Sequence, residues 1–102
     1  MPEKKVVIVS RHEATINLLK SKYPDAEVVS HISNPAEYSN CLIIGNLPIN
    51  MIADLIKNGN RFVLVALNVP PELRGKELGE EELKKYMKLY EIKSLELEEF
   101  RI

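Results

Sequence analysis

The sequence predicts an α/β domain built on a minimal doubly wound sheet, mostly parallel, with about five strands and three helices. Two observations carry that prediction. Three β-rich runs, Val6-Val7-Ile8-Val9, Cys41-Leu42-Ile43-Ile44 and Phe62-Val63-Leu64-Val65-Ala66-Leu67, are apolar without alternation. A strand that is apolar at every position is covered on both faces, as the central strands of a parallel sheet are. Each run is also followed by a segment with apolar residues at helical spacing, the alternation from which parallel strands and crossover helices are built.

The first run is strand one. Ser10-Arg11-His12-Glu13 follows it with the Ser-x-x-Glu form of a capping box, and Ile16, Leu18, Leu19 and Tyr23 make an apolar stripe, so helix one starts at Ser10. After the turn residues Pro24 and Asp25, Val28, Val29 and Ile32 mark strand two over 26–32. The polar stretch 33–40 is too short for a full helix and long enough for one turn at 35–39. The second run is strand three. Pro48 suits the first turn of helix two, Ile49, Ile52, Ala53 and Ile56 fall on one face, and Gly59 stops it. The third run is strand four, followed by a longer connection over 69–79. Leu83, Tyr86, Met87 and Tyr90 then share one face of helix three. Over 93–102, Leu95 and Leu97 alternate and the pattern slips by one before Phe100 and Ile102, which predicts a bulged edge strand. Strand two is expected at the other edge.

The chain has 102 residues, one domain's worth, with 45% hydrophobic and 28% charged residues, a balance that folds. Fourteen basic against fifteen acidic residues leave a net charge of −1, so there is no global positive field to grip duplex DNA, while a few aimed donors suffice for a small anion. The sole cysteine, Cys41, heads an apolar run and reads as a buried thiol in a reducing compartment. Apolar runs of only a few residues and a start without a signal-like apolar region predict a cytoplasmic protein that does not enter the membrane.

The order β-α-β-β-α-β-α-β makes strand one central, with neighbouring connections running in opposite directions. In such sheets ligands sit at the carboxyl ends of the strands, where helix N-termini and loops open a crevice. Strand one delivers Ser10, Arg11 and His12 to that edge, strand two His31 and Ser33, strand three Gly45, Asn46 and Asn50, and strand four Asn68; the next loop adds Arg74, Gly75 and Glu77. Ser10 reads first as a helix cap, and a capping hydroxyl beside free N–H groups can also touch a phosphate. Arg11 and Arg74 are either solvated surface charges or guanidinium forks for phosphate oxygens. The two histidines of the chain both fall on this edge, as packed imidazoles or as proton carriers. Asn46 and Asn68 are turn formers or amides for a base edge or sugar hydroxyl. Gly75 reads as conformational, and Glu77 as an ion-pair partner or a cap.

Glycine-rich dinucleotide and P-loop fingerprints are absent, as is the Gly-x-Ser-x-Gly elbow. His, Cys and carboxylates do not fall at metal-ligand spacing. Any chemistry is therefore expected to be metal-independent. RNA phosphodiester cleavage permits that, because the substrate's own 2′-hydroxyl attacks if the site holds the geometry and stabilises the phosphorane charge.

Five motifs in order complete this reading: Ser-Arg-His-x-Ala at 10–14, Val-Val-x-His at 28–31, Ile-Gly-x-Leu-Pro-x-Asn at 44–50, Arg-Gly-x-Glu-Leu at 74–78 and Leu-Glu-Glu-Phe at 97–100. Together they resemble a small CRISPR-associated family, the sixteenth of the Csx series, found with type III systems, and the likeness spans almost the whole chain. The resemblance implies a CARF-like, Rossmann-like fold and a ring nuclease, acting as a homodimer. Such an enzyme cleaves cyclic oligoadenylate, here cyclic tetra-adenylate, to linear products with 2′,3′-cyclic phosphate ends and so switches off antiviral signalling. By the same resemblance Arg11, His12 and Arg74 are catalytic, Arg11 and His12 holding and activating the ring while Arg74 closes over the phosphates. Ser10, His31, Gly45, Asn46, Leu47, Asn50, Asn68, Gly75 and Glu77 would line the ligand, with no cofactor. The family often has Gly or Pro where Glu13 stands and Asp where Asn68 stands. Glu13 brings a negative charge near an anion site unless it turns back to cap Ser10, and Asn68 lacks the base that an Asp supplies. Three helices are also few for both faces of such a sheet, and a two-fold ring matches an isologous interface. A non-catalytic protein that binds or sequesters the same ring is the alternative, and an interaction subunit without a ligand is a third.

Overall fold

The computed structural model describes residues 5–76 and 78–102. Five strands make one sheet in the order β2-β1-β3-β4-β5, with β1 at Lys5–Val9, β2 at Glu27–Val29, β3 at Cys41–Gly45, β4 at Arg61–Leu67 and β5 at Met87–Glu91. The first four are parallel, and β5 runs antiparallel to β4. Helices α1 (Glu13–Lys22), α2 (Ile49–Lys57) and α3 (Glu80–Tyr86) complete the α/β fold expected from the sequence. The expected single turn after β2 is a 3-10 turn at Pro35–Glu37, and a second one at Pro71–Leu73 punctuates the long connection after β4.

The unbroken apolar runs feed two cores. Val7, Val9, Cys41, Ile43 and Phe62 point to the face covered by Ile52 and Leu55 of α2. Ile8, Leu42, Ile44 and Val65 point to the opposite face, against Leu19 of α1, where α1 also packs on α3. The period of two along each strand thus divides one apolar run between two layers. Because α1 leaves β1 toward β2 while α2 leaves β3 toward β4, the connections diverge between β1 and β3, the switch point of a doubly wound sheet. Gly45 sits there buried, and a Cβ on it would run into the Val9 carbonyl oxygen. The glycine lets the two central strands close at their carboxyl ends.

Several expectations are corrected. Strand two is three residues long, not seven, although Ala26 and Ile32 just outside it are buried as the apolar pattern requires. Helix one does not begin at Ser10. His12 is the N-cap and makes no side-chain cap bond, while the Ser10 hydroxyl accepts from the His12 N–H at 3.1 Å, so the capping box is not formed. Pro48 occupies the N-cap of α2, one residue before its first turn, and Ile49 is 57% exposed, leaving Ile52, Ala53 and Leu55 as the buried face. The largest correction is at the third helix. It ends at Tyr86, and Met87 and Tyr90 belong to β5, while 93–102 form no strand. The free edge of β4 decides this. Paired with Met87–Glu91, its N–H and C=O groups are satisfied from Val63 to Leu67, and the Arg61 guanidinium holds Glu91 through two bonds of 2.9 and 2.8 Å.

Candidate functional site

The carboxyl edge of the parallel strands opens into a cleft of about 1010 Å³ between the start of α1 and the connection from β4 to α3. His12, Glu13, Ala14 and Thr15 form one wall, and Asn68, Arg74, Gly75 and Lys76 contribute to the other. Leu67, Leu73, Leu78 and Leu83 line it with apolar surface. The β4–α3 connection is held by its own backbone bonds, Leu73 N–H to Pro70 O at 2.9 Å and Arg74 N–H to Pro71 O at 3.2 Å, and Gly75 takes φ +82, where a side chain would be strained. Its start is tied down by Asn68 N–H to Tyr86 O at 3.0 Å. Two prolines and these turns present Arg74 and Lys76 from an ordered loop rather than a floating one.

The electrostatics of the edge follow from what is missing around its cations. Lys5 pairs with Glu27 at 2.7 Å, and Arg61 and Lys93 pair with Glu91 at 2.8 and 3.5 Å. Arg11, Arg74 and Lys76 have no ion-pair partner among the described residues. These cations without an ion-pair partner among the described residues give the edge local positive character in a chain whose net charge is −1, with the Glu13 carboxylate in the cleft wall opposing it. The lining combines cationic and amide donors, one imidazole and an apolar floor, a mixture suited to a ligand with phosphates and flat rings.

Of the residues expected from the sequence, the structure brings His12, Asn68, Arg74 and Gly75 together in this cleft. Ser10 and Arg11 stand beside it at the end of β1, Ser10 with its hydroxyl on the His12 amide and Arg11 exposed. His31 is exposed beyond β2, its ring nitrogen 3.3 Å from the Ser30 hydroxyl. Gly45 is buried and serves the contact between β1 and β3. The Asn46 amide donates to the Val65 carbonyl at 2.8 Å and so closes β3 against β4 at this edge. Leu47 packs on the α2-side core, and Asn50 is exposed in the first turn of α2. Neither lines the cleft. Glu77 lies outside the described residues.

Sequence reasoning passed over Lys76 and Thr15. Lys76 was legible in principle, as a second cation two residues from Arg74 in one loop. Thr15 was not, because placing its side chain requires knowing that the third residue of α1 faces inward; only 6% of it is exposed. Among the described residues, no group of three or more His, Cys, Asp or Glu gathers where a metal ion could be held, and no helix is long and apolar enough to cross a membrane.

Residues 7–98 match the family model "Putative CRISPR-associated protein (Cas_VVA1548)". No curated protein and no solved structure matches the chain.

Proposed function

The chain belongs to the Cas_VVA1548 family of CRISPR-associated proteins, and from that premise we propose that its carboxyl-edge cleft is a ring-nuclease site that binds a cyclic oligoadenylate and opens it without a metal. The observation that carries this reading is the meeting of His12, Asn68 and Arg74 in one cleft where the parallel strands end. Arg74 faces a bridging phosphate and stabilises the negative charge that builds on the phosphorane, as a preorganised donor does. The ribose 2′-oxygen attacks the adjacent phosphorus in line, the bond from phosphorus to the 5′-oxygen breaks, and a 2′,3′-cyclic phosphate and a 5′-hydroxyl result. His12, the imidazole of the cleft lining, takes the 2′-hydroxyl proton, and solvent protonates the departing 5′-oxygen. Asn68 meets a base edge or sugar hydroxyl, and the leucines receive the adenine faces.

Arg11 stands at the rim rather than in the cleft lining, so it grips the part of the ring that projects past one protomer. A two-fold cyclic tetra-adenylate is matched by a homodimer whose protomers each supply one such edge. Acting in the cytoplasm beside a type III system, the protein would lower the second messenger and end the antiviral response.

The test is incubation of purified protein with cyclic tetra-adenylate in chelator under single-turnover conditions, followed by chromatography of the products. Linear products ending in 2′,3′-cyclic phosphate are expected, and His12→Ala should bind the ring without opening it. An intact ring with wild-type protein removes catalysis. Asn68, standing where the resembling family often carries a carboxylate, favours a second reading in which the protein sequesters the ring; then the melting temperature rises with no product. Arg11→Ala and Arg74→Ala separate both readings from a subunit that only binds other proteins, because such a subunit keeps its partner when either cation is removed.

A further inference from the structure

The start of α1 carries three bare amides. His12 makes no side-chain cap bond, and the first backbone bond of the helix runs from Ile16 N–H to His12 O at 3.0 Å, which leaves the N–H groups of Glu13, Ala14 and Thr15 without an acceptor among the described residues. All three residues line the cleft. An uncapped helix start alone says little, and the decisive companion is Thr15. This residue is 6% exposed, and its hydroxyl makes no hydrogen bond among the described residues. No fully enclosed side-chain oxygen or nitrogen among them lacks a partner, so the Thr15 hydroxyl keeps its opening through the cleft that the residue lines. A hydroxyl on a side chain that is otherwise enclosed, without a partner in the fold and open only at one place, is free to bond what enters there.

The geometry points to a phosphoryl subsite at this place. The amides of Glu13, Ala14 and Thr15 and the Thr15 hydroxyl would take the non-bridging oxygens of one phosphate group, with Arg74 and Lys76 closing from the opposite wall. Backbone donors at the helix start and a side-chain hydroxyl line one cleft with two cations, a set that suits a phosphate oxyanion better than an uncharged ring. Glu13 opposes this. Its carboxylate also lines the cleft, and it weakens the subsite by repulsion, so it sets an affinity ceiling that its amide variant lifts. This inference rests on the proposed ligand class for the same cleft and goes further by assigning the groups that hold one phosphate.

Titration of the labelled wild-type chain with inorganic phosphate, followed by amide NMR, tests it. Saturable shifts are expected at Glu13, Ala14 and Thr15. Thr15→Val, which keeps the buried shape, should weaken phosphate binding about tenfold, as loss of a hydrogen bond to a charged group does. Thr15→Ser should stay within about twofold, and Glu13→Gln should bind more tightly. Amides that do not move, or equal binding by the Val variant, overturn the subsite. Should Thr15→Val fold poorly, the wild-type shifts and the Ser variant still decide. The two proposals fail separately. Phosphate binding here without any binding of cyclic tetra-adenylate sinks the ring-nuclease reading and keeps the subsite, whereas ring binding that Thr15→Val leaves unchanged does the reverse.

Discussion

At the amino end of the parallel strands the described charged side chains and a buried asparagine engage one another and the backbone, whereas at the carboxyl end three cations and a hydroxyl are left open. The first end holds Lys5 on Glu27, Arg61 on Glu91 and the Asn60 side chain, which is 5% exposed and fully engaged. Asn60 accepts from the Cys41 N–H at 3.0 Å and donates to the Tyr38 and Leu55 carbonyls at 3.0 and 2.9 Å. The second end shows Arg11, Arg74, Lys76 and the Thr15 hydroxyl without partners among the described residues. A residue type therefore means little by itself. Asparagine at the closed end is a clasp, and arginine at the open end is a donor in wait, because burial and pairing decide what a polar group does.

Removing the clasp should have the largest effect. Asn60→Ala leaves the buried Cys41 N–H without its acceptor and removes two donated bonds, although the Leu55 and Tyr38 carbonyls keep donors from Asn58; it should cost about 4 kcal/mol of unfolding free energy in urea, with ligand binding by the folded fraction unchanged. A loss below about 1 kcal/mol would mean that this end is not the closed one. Gly45→Ala comes next, because a side chain against Val9 spreads β1 from β3 at the cleft end; about 3 kcal/mol should be lost in the same assay. It should also weaken the ligand, which separates it from Asn60→Ala.

Arg74→Ala should invert that behaviour. Its stability should stay within about 0.5 kcal/mol of wild type, since the side chain has no ion-pair or hydrogen-bond partner among the described residues to lose. Binding of cyclic tetra-adenylate should fall about thirtyfold by calorimetry, the value of a charge-assisted contact. A stability loss equal to that of Asn60→Ala would erase the contrast between the two ends.

The smallest effect concerns acid. The Arg61 guanidinium, by hydrogen bonding and by its charge, holds the Glu91 carboxyl down from 4.5 to about 2. With the folded value below the unfolded one, this pair stabilises the fold above pH 4.5 and the contribution is lost as the pH falls toward 2. Arg61→Ala should flatten that part of the stability profile, measured by urea unfolding at several pH values, while Arg74→Ala leaves it unchanged.

Much of the fold was legible because its signals are local or periodic. Strands β1, β3 and β4 announced themselves as apolar runs, α1 and α2 by stripe and stop residues, and the edge that carries the cleft by the alternation of strands with helices. The end of α3 was not legible, since Leu83, Tyr86, Met87 and Tyr90 satisfy a helical stripe as well as a helix followed by a strand. At the site, His12, Asn68 and Arg74 were found by their place after predicted strands. The same rule also collected Gly45 and Asn46, whose places the structure explains by strand contacts.

By itself the sequence determined which segments are covered on both faces and therefore which edge of the sheet collects its polar loops. That Met87–Glu91 closes β4, that Thr15 is buried, and which loop cations share a cleft with α1 follow from the assembled fold alone. The physical reason is the range of the interactions. Hydrophobic periodicity is written residue by residue, whereas hydrogen-bond satisfaction at a sheet edge and the convergence of loops depend on groups far apart in the chain.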